Sequence, residues 1–186
     1  MEGRISIEDR HRLLAAARQA AADALAERAP ATIPAEGVMA RRAGAFVSFH
    51  RGGDLRGCIG HPSGDRPLAS VIPECAVAAA TGDPRFPSVR PDELDDCVIE
   101  ISVLGPISPV ASPAEIVVGR HGLIVEQGWH RGLLLPQVAV EYGWDREMFL
   151  DRTCGKAGLP ADAWKQGARV SCFEAEVFDD ADARRV

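Results

Sequence analysis

Asparagine does not occur in this chain, tyrosine occurs once, and lysine occurs twice against 19 arginines. Any anion site would therefore be built from guanidinium forks rather than ammonium point charges. A run of about 18 apolar residues is also missing, which argues against a helical membrane span. The residues after Met1 lead into a polar, acidic segment instead of an apolar signal core, so a cytoplasmic protein is expected. The five cysteines are scattered, odd in number and without a C-x-x-C, which argues against a disulfide framework and a zinc ribbon. Cys58-x-x-His61 is at most half a metal site with no second half, so neither metal nor cofactor is expected. A basic excess is lacking too: the net charge of −6 speaks against direct nucleic-acid binding. Gly57-x-x-Gly60 lacks the Gly-Lys-Ser/Thr ending of a phosphate loop, and there is no G-x-S-x-G elbow and no H-E-x-x-H.

What is present is an ordinary globular composition, 46% hydrophobic and 26% charged over 186 residues. Such a chain can bury roughly 70% of its unfolded surface in one domain, or in a domain with a smaller lobe. Ser6-x-x-Asp9 resembles a capping box, and Leu13, Leu14, Ala17, Ala21 and Leu25 recur at helical spacing. A packing helix is expected over residues 7 to about 28, stopped by Pro30 and Pro34. A second helix opens at Pro67 and ends at Gly82, with Pro73 expected to kink or split it. Alternation around Cys97, Ile99, Ile101 and Val103 reads as a half-buried strand. Leu123-Ile124-Val125 and Leu133-Leu134-Leu135 flank a second hairpin turn at residues 127–130. A short helix over residues 136–142, a helix capped by Asp145 and a final strand over residues 170–178 complete the pattern. Strand pairs separated by helical blocks indicate α+β: a mainly antiparallel sheet with flanking helices, in a larger and a smaller lobe. The expected organisation is a packing helix in residues 1–36, a domain over residues 37–178 and a frayed tail over residues 179–186.

The first hairpin carries the most informative residues, Leu55-Arg56-Gly57-Cys58-Ile59-Gly60. A three-residue loop, Arg51-Gly52-Gly53, would pair Phe49 with Leu55, Val47 with Gly57 and Ala45 with Ile59. That register makes one face apolar and places Ser48, His50, Arg56 and Cys58 on the other. Arg56 and Cys58 would then lie about 6.6 Å apart along the strand. At about 7 Å and an effective dielectric of about 20, a cation stabilises a thiolate by roughly 2.4 kcal/mol. Such a thiol would titrate near about 7 instead of about 8.5 and be nucleophilic at neutral pH. Gly57 and Gly60 would admit a ligand or another backbone closely. The bland reading is a buried cysteine beside a bend.

Weaker candidates surround it. Gly119-Arg120-His121-Gly122 sets a cation and an imidazole before a strand, and His121 could act as base for Cys58 or simply hydrogen-bond its own backbone. Asp83-Pro84-Arg85-Phe86-Pro87 is a rigid loop in which Arg85 could hold an anion or pair with Asp83. The candidate catalytic residues are thus Cys58, Arg56 and His121, and the candidate ligand contacts Gly57, Gly60, Arg85 and Arg120.

Taken in order, residues 55–60, 83–87, Glu100-Ile101-Ser102-Val103-Leu104, residues 119–123, residues 133–139, Lys156-Ala157-Gly158-Leu159-Pro160 and Phe173-Glu174-Ala175-Glu176-Val177 resemble the AMMECR-type domain family. Its bacterial and archaeal members are named AmmeMemoRadiSam system protein A. The resemblance spans about residues 37–178 and implies an α+β domain of two lobes. It also implies company, a Memo-type protein and a radical SAM enzyme, and a site at the segment carried here by residues 55–60. His61 and Pro62 depart from the small residues expected after it. Two functions follow as expectations: an enzyme or enzyme subunit with Cys58 as nucleophile, or a noncatalytic module binding a ligand or partner. An accessory role in nucleic-acid modification is motivated by the family's company alone.

Overall fold

A computed structural model describes residues 4–181, and the last residues of the expected tail lie outside them. The chain divides into two compact units, Met1–Leu104 with Glu176–Val186, and Gly105–Ala175. Each contains antiparallel strand pairs covered by helices, an α+β arrangement. Among the described residues no helix is long and apolar enough to cross a membrane.

The first unit begins with α1 (Ile7–Leu25). Ser6 accepts the Asp9 N–H at 3.1 Å and donates its hydroxyl to the Asp9 carboxylate, the capping expected from the sequence. The helix ends earlier than expected because Glu27 turns to a left-handed backbone, φ 53°. Leu13, Ala17 and Ala21 are fully buried on its inner side. The strands β1 (Ala45–Arg51), β2 (Asp54–His61) and β3 (Cys97–Leu104) lie in the order β2-β1-β3, which leaves β2 at the edge. Ala45, Val47, Phe49, Ile99 and Ile101 are fully buried and share one core cluster with residues of both helices. The second helix, α2 (Leu68–Thr81), packs on β1 and β2 and runs unbroken past Pro73. The expected split does not occur: Val71, Ile72, Cys75, Ala76 and Ala79 are buried around the proline and hold the helix together.

The second unit contains β4 (Ser108–Pro109), the hairpin of β5 (His121–Gln127) and β6 (His130–Leu134), α3 (Pro136–Glu141) and α4 (Arg146–Lys156). The last strand, β7 (Arg169–Asp179), pairs with β4 and β5 here and carries the chain back into the first unit. Asp145 caps α4 by accepting the Met148 N–H at 2.8 Å. Ile116, Leu123, Ala139, Phe149 and Leu150 form the fully buried centre of this unit.

The first hairpin corrects the expected register. Arg51 pairs with Asp54 across a two-residue turn, Gly52-Gly53, whose φ values of 61° and 93° suit glycine. His50 pairs with Leu55 and Phe49 with Gly57, so Arg56 is an extra residue, a bulge. Val47 then faces Ile59, Ser48 faces Cys58, and Phe46 faces Gly60. A short turn alone would have mixed the two faces. The bulge restores the apolar side from residue 57 onward, which is why pattern matching shifted the pairs by two residues.

Candidate functional site

The site is built on the edge strand β2. In such a strand alternate N–H and C=O groups lack a neighbour, and native proteins cover them. Here the loop after α2 does so. The Cys58 N–H donates to Asp83 Oδ2 at 2.9 Å, and Arg85 Nη2 donates to the Cys58 carbonyl at 3.2 Å. Asp83 and Arg85 stand in for a missing strand at this one residue.

Asp83 is 4% exposed and fully engaged. Besides Cys58 it accepts the Arg85 backbone N–H at 3.0 Å, Arg85 Nε at 3.0 Å and Arg85 Nη2 at 2.7 Å. The paired guanidinium, foremost, and the two backbone donors hold the Asp83 carboxyl well below the usual carboxylate range. Arg85 lies over the Phe86 ring, 5.4 Å from its centroid, and its side chain is half exposed.

The Cys58 side chain is half-buried on the face opposite the core. Ser48 stands across from it on β1, and Glu100 stands across from Ser48 on β3. Burial pushes the Cys58 thiol up, against hydrogen bonding by the Ser48 side chain and the charge of Arg85; Asp83 and Glu100 push it further up. Burial wins, so the thiol is protonated at neutral pH. Arg85 reaches Cys58 through the backbone carbonyl, and its charge is the nearby cation that favours the thiolate.

This overturns the role expected of Arg56. At the bulge its Nη1 donates to the Pro87 carbonyl at 2.6 Å, and its Nη2 to the Ser88 carbonyl at 3.0 Å and to Glu93 Oε2 at 3.2 Å. Glu93 is buried and also accepts from the Arg90 N–H and from Arg51. The Arg90 N–H first, and then Arg56, hold its carboxyl below the usual range. Arg56 is an anchor for the residue 87–93 segment, and the cation acting on the thiol is Arg85.

The two glycines of the motif are also accounted for. A Cβ on Gly57 would sit 2.1 Å from the Ala79 carbonyl oxygen, so this glycine lets α2 press against β2. A Cβ on Gly60 would meet the Phe46 ring at 2.2 Å. The space each glycine leaves is filled by the protein itself. His50 lies along β1 from Ser48, and its Nε2 is enclosed without a hydrogen-bond partner.

His121 and Arg120 belong to the second unit. His121 opens β5 opposite Glu174, and its Nδ1 accepts the Val117 N–H at 3.2 Å. That bond leaves the proton of the neutral ring on Nε2, so the free nitrogen is a donor rather than a base. Arg120 pairs with Glu174 at 2.7 Å, both more than half exposed. Among the described residues no three or more His, Cys, Asp or Glu side chains group as a metal site. Ser48, Asp83 and Glu100 are not among the expected site residues. Ser48 had a signal in the strand alternation that puts it on the face of Cys58, and Asp83 in standing two residues before Arg85 in a proline-bounded loop.

The AMMECR1 family model matches residues 14–178. The chain belongs to the AMMECR1 family. A protein of Methanothermobacter thermautotrophicus is 54% identical over 150 residues, covering 77% of this chain and 78% of its own length. Protein MJ0810 of Methanocaldococcus jannaschii is 47% identical over 156 residues, covering 79% of this chain and 78% of its own. The crystal structure of the uncharacterized protein PH0010 from Pyrococcus horikoshii superposes with a TM-score of 0.86 at 41% identity, covering 91% of this chain and 90% of that one. The AMMECR1 fold expected from residues 37–178 therefore holds, and the match reaches back into α1.

Proposed function

We propose that this AMMECR1 protein is an enzyme or enzyme subunit whose reactive group is Cys58, with Arg85 rather than Arg56 as the cation beside it. The observation that carries this reading is the grip on Cys58. Its N–H and C=O are both held by side chains, and Ser48 stands across from it on β1. A fixed backbone with a hydroxyl and a guanidinium at the same residue positions a nucleophile to attack a polarised centre. The thiol is protonated at rest, so it acts when a substrate or partner alters its surroundings. The family resemblance supplies the partners of this reading, a Memo-type protein and a radical SAM enzyme in a modification system.

Alkylation with iodoacetamide across pH, mapped by mass spectrometry, tests it. Cys58 is expected to label faster than the other four cysteines; equal labelling would remove the nucleophile. The raised thiol favours a second reading, a noncatalytic module that binds a ligand or partner. Complementation separates the two: the enzyme loses function in Cys58→Ser, whereas the module keeps it and loses function in Arg85→Ala.

A further inference from the structure

The pairing of Asp83 with Arg85 has an electrostatic consequence for Cys58. Arg85 is the cation that favours the thiolate, and Asp83 is the anion that opposes it. The carboxylate takes both Nε and Nη2 of the guanidinium at 3.0 and 2.7 Å, and itself lies against the Cys58 N–H at 2.9 Å. A cation so closely paired delivers a compensated field to a group beside it. The remaining neighbours do not replace that field: Ser48 is neutral, Glu100 is acidic, and Cys75 on α2 is itself a buried thiol.

We propose that Asp83 is a charge lock on Cys58, a positioning residue that grips the peptide of the thiol and withholds the charge of Arg85 until that pair opens. This rests on reading Cys58 as the reactive group. When the pair opens, Arg85 turns its full charge to the sulfur. The thiol proton leaves to solvent or substrate, and the thiolate is the attacking species. Asp83 is nearly solvent-free, whereas the Arg85 side chain is half exposed. The opening therefore moves the guanidinium off the carboxylate and toward the Cys58 sulfur, and leaves the carboxylate in place.

The test compares iodoacetamide alkylation of Cys58 in the wild-type protein, Asp83→Asn and Asp83→Asn/Arg85→Gln at pH 7.5, with Cys75 as internal reference. Asparagine retains an acceptor for the Cys58 N–H but frees the charge of Arg85, so Cys58 is expected to label roughly fivefold faster. The double variant removes both charges and returns the rate to near that of the wild type. A loop that has merely loosened would keep the double variant fast, and that result overturns the lock. So does an Asp83→Asn variant no faster than wild type. If Cys58 labels no faster than Cys75 in all three proteins, the nucleophile reading falls and the lock with it. Should Asp83→Asn unfold, seen as Cys75 labelling together with Cys58, the comparison is made with Asp83→Ser and Asp83→Ser/Arg85→Gln. The serine hydroxyl still accepts the Cys58 N–H.

Discussion

Two carboxylate–guanidinium pairs hold the edge strand of the first hairpin, and they do different things with the same chemistry. At the bulge, Arg56 spends its donors on two loop carbonyls and on buried Glu93, which Arg51 and the Arg90 N–H also hold. Two residues on, the pair is Asp83 with Arg85, and its remaining hydrogen bonds are to the backbone N–H and C=O of Cys58. The first pair ties down a segment; the second brings charge to a sulfur. A guanidinium's role is thus decided by what its other donors touch, and proximity in sequence is no guide: Arg56 is two residues from Cys58 and Arg85 is 27 away.

The comparison breaks most severely where α2 meets the strand that both pairs hold. Gly57→Val would drive a side chain into the Ala79 carbonyl, and a stability loss of about 3 kcal/mol is expected by urea unfolding. Gly57→Ala should lose less. The next effect separates the pairs by acid. Asp83 and Glu93 both have folded carboxyls held below their usual range, so their stabilisation is complete above the unfolded value, about 4. It is lost as pH falls through that value toward the folded one. Urea midpoints at pH 7 and pH 3 should therefore differ less in Asp83→Asn, and less in Glu93→Gln, than in the wild type. Only Asp83→Asn should also change Cys58 labelling.

The third prediction contrasts thiols. Burial pushes Cys75 up to about 11, while Ser48 and Arg85 partly offset burial at Cys58. At pH 8 Cys58 should be alkylated faster than Cys75, since the less strongly raised thiol holds more thiolate. The smallest effect lies in the second unit. Arg120→Ala removes an exposed pair with Glu174 and should cost less than about 1 kcal/mol. A larger loss of thermal stability would give that pair a structural weight like that of Glu93.

Much of this was legible in the residues, and the failures share a cause. The helix cap at Ser6, the strand from Cys97 and the cap at Asp145 are local chemistry, and local chemistry carried them. The hairpin's position was legible, but its register was not. A bulge at Arg56 has no local signature, because a bulged arginine and a paired one look alike in sequence. At the bulge Arg56 is taken up by the Pro87 and Ser88 carbonyls and Glu93 instead of by Cys58. The loop after α2 could be read as rigid, and Arg85 as a partner of Asp83. That this loop returns to the edge of β2 depends on α2 crossing the sheet, which Gly57 permits and no short-range pattern records. In the sequence His121 reads as a possible base; its bond to the Val117 N–H makes it a donor instead.

The central claim is that Arg85, and not Arg56, is the cation that acts on the Cys58 thiol. The most direct measurement is the alkylation rate of Cys58 at pH 8 in Arg85→Gln and in Arg56→Gln, each normalised to Cys75. The rate should fall roughly three- to tenfold in Arg85→Gln and change little in Arg56→Gln. A rate that falls in Arg56→Gln while Arg85→Gln labels like the wild type would contradict it.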